Sequence, residues 1–415
     1  VTHQFSQPEL FLIAMLIIFG LPYLIWRYLK IDYLAPMVAV QIITGIVVGK
    51  GLLGAYFNNS YSLIFNHETI DNLDGIASWA VIIFVFVAGI ELDLKDVWRN
   101  KVDNGITAAL ALLVPLLFGS IVGVFLLQKS GWIGARAEHW QFVLGIGMSC
   151  SITALPILII FLEKLELLRH PIGRRVLRYA SLDDILIWAV LAVVIVDIRR
   201  LESQVLFFVG FIIVSFFFRK IMASVSEFDR WSWALIWLAA VALMAESSGL
   251  HFIAGAFMAG AVIDSSWFDQ KKLDMLRQHV LIFMMPVFFL STGLKTSWSL
   301  GGWSVFVAAS FLLCAAVTGK LLAIHIAGKI LRWGQGEASV IGWLLQSKSL
   351  ITIIFTSVLL DKGLITSNTF TALLIMAIIS TMLTVPIVSS KLLMNPSLAL
   401  RDVDRPVIDP ASRVF

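Results

Sequence analysis

The sequence predicts an all-α polytopic membrane protein of about thirteen transmembrane helices, and three observations predict it. The 415 residues are 59% hydrophobic and only 14% charged, where a soluble domain carries roughly a quarter charged residues. Apolar stretches long enough to cross a hydrocarbon core of about 30 Å recur along nearly the whole chain. The short alternating strands of an outer-membrane barrel are absent from the pattern. The net charge of +4 does not point to nucleic acid, because membrane proteins gather Lys and Arg in cytoplasmic loops. The only cysteines, Cys150 and Cys314, fall in apolar runs without CxxC spacing, so no disulfide framework is expected. No signal peptide is expected, since the N-terminus shows neither a basic n-region nor a small-residue cleavage site. Gly145-Ile146-Gly147 lacks the third glycine of a nucleotide fingerprint, and no nucleophile motif or His/Glu/Cys metal spacing occurs. The expectation is a protein that is not an enzyme and holds no cofactor.

Hydropathy places the segments at 9–29, 34–48, 75–90, 105–127, 139–162, 176–196, 205–218, 231–244, 250–263, 279–294, 303–330, 338–360 and 370–393. Segment two reads into Gly45-Ile46-Val47-Val48-Gly49, and segment nine contains Gly255-Ala256-Phe257-Met258-Ala259-Gly260. Both are short and rich in small residues, which suits close helix packing. Segment five carries Ser151-Ile152-Thr153-Ala154-Leu155-Pro156, where Pro156 removes a backbone hydrogen bond and frees carbonyls near Ser151 and Thr153. Segment twelve is expected to break near Gln346-Ser347-Lys348-Ser349. Segment five runs on to Glu163-Lys164 and segment twelve to Asp361-Lys362. The matched segments, two with nine and five with twelve, stand seven apart, so each pair runs in opposite directions. This predicts inverted repeats, segments one to six and eight to thirteen, with segment seven as linker; interrupted helices at matching places point to a binding site.

Loops after odd-numbered segments, with the C-terminal tail, hold most of the 31 Lys and Arg. That puts the N-terminus outside and the C-terminus in the cytoplasm. The densest group, Lys164, Arg169, Arg174 and Arg175, reads as a topology determinant. Residues 396–415, with Pro396, Pro406 and Pro410, have the composition of a disordered cytoplasmic tail.

Asp183 and Asp184 lie inside an apolar run, where each buried charge costs roughly 2.5–3.5 kcal/mol on insertion scales. Such carboxylates mark ion or proton paths, with a structural network as the plainer alternative. Adjacent helical residues point about 100° apart, so one aspartate faces the broken helix and binds the ion while the other takes a basic partner. Lys320, mid-run in segment eleven and too deep to snorkel, is the candidate partner; a purely structural ion pair is the competing reading. Oxygen from Ser151 and Thr153 suits a hard cation. Lys348 lies where segment twelve is expected to break, and its charge is expected to neutralise helix ends that cross there, a structural role weighed against a functional one. Glu246 and His251 read as interfacial, His325 as packing, and Glu91 and Asp93 as caps or solvated charges.

These motifs resemble the monovalent cation:proton antiporter-2 family of bacterial sodium/proton antiporters, Kef-type potassium efflux systems and plant cation/proton exchangers. The resemblance rests on the stretch from Gly45 to Gly54, Phe86-Val87-Ala88-Gly89-Ile90-Glu91-Leu92-Asp93, Ser151 to Leu158 and Ser181-Leu182-Asp183-Asp184-Ile185. It continues through Gly249-Leu250-His251, Pro286 to Thr296, Gly319-Lys320 and Ser380 to Pro386. It implies a homodimer in a lipid bilayer, in a bacterial inner membrane. Residues 1–100 and 226–300 would supply dimerisation helices, 101–200 and 301–395 a mobile core with two crossed broken helices, and 201–225 the linker. Asp184 matches the family's ion-carrying aspartate and would hold the monovalent cation. Asp183 stands where many electroneutral members have Asn and many electrogenic ones Asp, and Lys320 matches the lysine that pairs with it. The implied function is electrogenic exchange of Na⁺ or K⁺ for H⁺ by elevator motion of the core. Two protons per cation would move one charge, worth about 2.3 kcal/mol per 100 mV. No Kef-type nucleotide-binding domain, and so no nucleotide gating, is expected, and Ser347-Lys348-Ser349 departs from a basic residue followed by glycine. A gated K⁺ efflux channel, needing no proton counterflow, and a transporter-derived sensor, tolerant of Asp184→Asn, are the alternatives.

Overall fold

Polar capping and proline set the helix starts. Ser6 opens α1 (Gln7–Tyr28) through a capping box in which its amide donates to Glu9 Oε2 at 2.8 Å. Pro36 precedes α2 (Met37–Val48), and α3 (His67–Ile90) follows two short helices, Leu53–Tyr56 and Asn58–Ile64. The computed structural model describes residues 5–30, 36–49, 53–90, 101–168, 170–195, 201–294 and 298–394. The chain continues with α4 (Lys101–Leu127), then α5 in two halves, His139–Ser151 and Leu155–Lys164, and α6 (Pro171–Val194). Next come α7 (Leu201–Ser224), α8 (Glu227–Ser247), α9 (Phe252–Ala261) and α10 (Gln270–Leu294), the last with a π-turn over Val280–Met284. The remaining elements are α11 (Trp298–Ile330), the split α12 (Glu337–Leu344 and Ser349–Asp361) and α13 (Ser367–Met394).

Every expected segment overlaps one of these helices, and eight described helices are long and apolar enough to cross a membrane. No strand occurs among the described residues beyond an isolated bridge between Ile133 and Ile365. All-helical architecture follows from the solvent, because hydrocarbon offers no partner for an unpaired backbone N–H or C=O. Two helices start well before their hydropathic segments. α3 begins at His67 rather than 75, and α10 at Gln270 rather than 279, because their first turns are polar and sit outside the apolar window.

The apolar outer faces are broad: Leu206, Ile212, Phe216 and Phe217 of α7 stand open, as do Leu12 and Leu16 of α1. Among the described residues, α7 is held to α8 by rings, with Phe218 stacked on Trp237 at 4.3 Å and Phe211 at 6.0 Å. The interior uses small residues, as close-packed helices in lipid do. A Cβ on Gly45 of α2 would overlap the Leu290 carbonyl of α10, and one on Gly293 of α10 would overlap the Ile42 carbonyl in the same way. Gly89 of α3 and Gly260 of α9 form a second contact of this kind. The glycines singled out in segments two and nine are therefore backbone-contact positions. α4 packs against α11 and the first half of α5, while α13 lies along α11 and the second half of α12.

The break in α5 falls near Ser151 and Thr153, the stretch whose carbonyls Pro156 was expected to free. Residues 152–154 are non-helical, and Pro156 occupies the first turn of the second half-helix, where its missing N–H is unneeded. The break in α12 covers 345–348.

Candidate functional site

The two interruptions meet. The Ala154 amide donates to the Ser347 carbonyl at 2.5 Å, so each broken strand of backbone supplies a partner that the other's lost helix turn would have given. The Lys348 amide donates to Thr381 Oγ1 at 3.0 Å, and the Ser380 hydroxyl donates to the Gln346 carbonyl at 3.1 Å. α13 thus completes the backbone hydrogen bonding of the second break. These two hydroxyls were not singled out as site residues, although a Ser-Thr pair in mid-span was the signal available.

Two ammonium groups fill the crossing. Lys320 of α11 and Lys348 are fully buried. Lys320 Nζ donates to the Ala111 carbonyl at 3.0 Å, the Ser151 carbonyl at 2.7 Å and Asp183 Oδ2 at 3.0 Å, which uses all three of its N–H donors. Lys348 Nζ donates to the carbonyls of Cys150 at 2.6 Å and Ile152 at 3.0 Å. The carbonyls expected to be free for a cation therefore already hold two lysines. The physical reason is that a half-helix C-terminus carries partial negative charge, and Cys150, Ser151 and Ile152 form that end of the first half of α5.

Asp183, 1% exposed, is the carboxylate at this crossing. Its Oδ2 accepts from Lys320 and lies 2.8 Å from Thr153 Oγ1, which also lies 3.0 Å from the Leu345 carbonyl. The single Thr153 proton is shared between two acceptors. Asp183 Oδ1 is buried with no hydrogen-bond partner among the described residues. The Ser151 hydroxyl is turned away, toward the carbonyls of Leu112 at 2.8 Å and Gly147 at 3.2 Å. Asp183, Thr153 and Lys320 are thus brought together, with Ser151 joining through its carbonyl and Lys348 standing on the carbonyls to either side. Asp184 occupies the next position of α6; its side chain lies outside the described residues.

Elsewhere the outcome differs from expectation. His251 is buried rather than interfacial, because its Nδ1 accepts the Ile253 amide at 3.3 Å and caps α9. Glu246 is exposed and pairs with Lys362 at 3.5 Å. His325 is exposed rather than packed, its ring nitrogen 2.7 Å from the Leu321 carbonyl. Arg175 belongs to the first turns of α6 and pairs with Glu337 at 3.0 Å. Glu91, Asp93, Arg169 and the tail 396–415 lie outside the described residues.

A buried carboxylate and two buried ammonium groups at the meeting of two interrupted helices suit a transporter core, and the comparisons identify the family. Residues 13–392 match the family described as "Sodium/hydrogen exchanger, transmembrane". The chain belongs to this family. It is 28% identical over 400 residues to the Na(+)/H(+) antiporter NhaS4 of Synechocystis, covering 91% of this chain and 96% of that protein. It is 27% identical to Cation/H(+) antiporter 20 of Arabidopsis thaliana and 24% identical to K(+)/H(+) antiporter 1 of Saccharomyces cerevisiae. In those two it covers 85% of itself but only 45% and 43% of the longer relative. The solved sodium proton antiporter MjNhaP1 of Methanocaldococcus jannaschii superposes with a TM-score of 0.59 at 12% identity, over 93% of this chain and all of that one, which shows the shared fold. The exchanger is an integral membrane protein of the cation/proton antiporter kind.

Proposed function

We propose that this exchanger moves a monovalent cation, Na⁺ or K⁺, against protons at a site formed by Asp183 and Asp184 with Thr153. The observation that carries the reading is the Lys320–Asp183–Thr153 cluster, buried at the contact of the two broken helices. Asp183 Oδ1, without a hydrogen bond among the described residues, is the oxygen we assign to a proton or a cation. A cation held there competes with the Lys320 ammonium for the same carboxylate, and a proton does so too, which couples the two fluxes. The carboxylate at position 183 supports electrogenic exchange. Its relatives are named for both Na⁺ and K⁺ exchange, and the experiment below distinguishes the two.

Elevator-type alternating access by thirteen helices in inverted repeats agrees with the packing. Exchanging segment two with nine and three with ten converts the α2–α10 contact into α9–α3, and both contacts are present with paired glycines. Helices 1–3 and 8–10 would then form the dimer domain, and helices 4–6 and 11–13 the moving core. Trp188 of α6 stacks on Phe257 of α9 at 5.3 Å along the surface where the core would slide. We further place the protein as a homodimer in a bacterial inner membrane, N-terminus outside and C-terminus cytoplasmic.

The test is reconstitution into liposomes with a proton pump and a pH dye, adding Na⁺, K⁺ and Li⁺ separately. Dye recovery with one cation, abolished by Asp184→Asn, is expected. Cation flux without proton movement would instead indicate a channel.

A further inference from the structure

Beside the carboxylate site, α4 and α6 carry a second set of polar groups that the exchange reading leaves unused. On α6, Arg175, Tyr179 and Asp183 fall at four-residue spacing and so on one stripe. On α4, Asp103, Thr107 and Ala111 do the same. The two stripes face each other at both ends. The Tyr179 hydroxyl donates to Asp103 Oδ2 at 3.0 Å, and Lys320 Nζ joins the Ala111 carbonyl to Asp183 Oδ2. Thr107 stands between these ends, about 6 Å of helix rise from each.

Thr107 is fully buried, and its hydroxyl has no hydrogen-bond partner among the described residues. Thr44, Thr356 and Thr381 instead bond back to the carbonyl four residues earlier, at 2.7, 2.9 and 2.7 Å. A hydroxyl left unbonded between two acid groups can both accept and donate a proton.

We propose that this seam is a proton route, separate from the cation's, in which Tyr179 and Thr107 relay protons between Asp103 and Asp183. It rests on the exchange reading above. Asp103 gives a proton to the Tyr179 oxygen as Tyr179 releases its own, through one bridging water, to Thr107 Oγ1. Thr107 passes its proton through a second bridging water to Asp183 Oδ1, since neither oxygen has a direct hydrogen-bond partner among the described residues. Only O–H bonds form and break, and Tyr179 and Thr107 end neutral. The solvent-side end is the part-buried pair Arg175–Glu337, with Arg175 over the Trp333 ring at 4.5 Å and Nε 3.5 Å from the Tyr179 hydroxyl. Lys320 is the cation facing the inner end. The seam suits protons rather than metal ions because Tyr179, Thr107 and Asn104 are closed off from solvent, and the described residues place only a few side-chain oxygens along it, where a hard cation collects six or more.

The test uses the full chain in proteoliposomes with the cation that drives exchange in the wild type. Thr107→Val keeps shape and breaks no described hydrogen bond, so a packing role predicts wild-type transport and equal or higher thermal stability. The relay predicts at least a tenfold slower exchange, cation affinity within twofold by isothermal titration, and recovery in Thr107→Ser. Tyr179→Phe, which keeps the ring stacked on Trp333, is expected to slow exchange in the same way and reads the route independently of how Thr107→Val folds. Wild-type rates in Thr107→Val, or loss of cation binding together with rate, overturn the route. Absence of exchange in the wild type would overturn the proposed function instead.

Discussion

Lys320 and Asp183 form a closed unit whose coupling is measurable as a double-mutant cycle. Lys320→Met keeps the side-chain stem but deletes three hydrogen bonds, at 2.7, 3.0 and 3.0 Å, and leaves the Asp183 carboxylate with Thr153 alone. Removing one partner of a buried ion pair costs about 3–5 kcal/mol, since the remaining charge is stranded. Asp183→Asn strands the Lys320 ammonium between two carbonyls and belongs in the same range. The double variant has no charge to strand. It leaves the Ala111 and Ser151 carbonyls unpaired, at about 1 kcal/mol each. Two singles that sum to about 6–10 kcal/mol against a double near 2 imply a coupling of several kcal/mol. Unfolding by dodecyl sulfate titration in mixed micelles, followed by tryptophan emission from the 14 Trp residues, reads all four proteins. Additivity within about 0.5 kcal/mol would refute the pair as a structural and energetic unit. So would a Lys320→Met protein as stable as the wild type.

Other outcomes follow from the same geometry. Lys348→Met should destabilise by about 2–5 kcal/mol, because the carbonyls of Cys150 and Ile152 lose a charged donor, and the same titration measures it. Gly260→Val should weaken the α3–α9 contact by at least about 1–3 kcal/mol, since its Cβ would overlap the Phe86 carbonyl; Gly75→Val, where nothing lies within 4 Å, is the control, and melting temperature separates the two. Lys362→Gln should cost under about 1 kcal/mol because the pair with Glu246 is partly exposed, yet hydrogen exchange at residues 246–252 should rise as Lys362 releases the carbonyls of Gly249 and Leu250.

Much of this protein is legible in one dimension. A 59% hydrophobic chain in hydrocarbon must form helices, and its apolar runs mark them. Lysine and aspartate in such runs are too costly to leave unpaired, so Lys320 is legible as the partner of one of the two aspartates; the family resemblance points to Asp183, 137 residues away, and the structure pairs them. Glycines at Gly45 and Gly260 likewise announce close packing. What tertiary structure alone decided is which partner each group takes. Lys320 and Lys348 divide the carbonyls of Cys150, Ser151 and Ile152 because two helix breaks cross there, and no local pattern sets how they cross. The polar first turn of α10, the buried cap at His251, and the Arg175–Glu337 pair across 162 residues escaped sequence reading for the same reason. Hydropathy sums over neighbours along the chain, whereas a hydrogen bond or ion pair depends on neighbours in space.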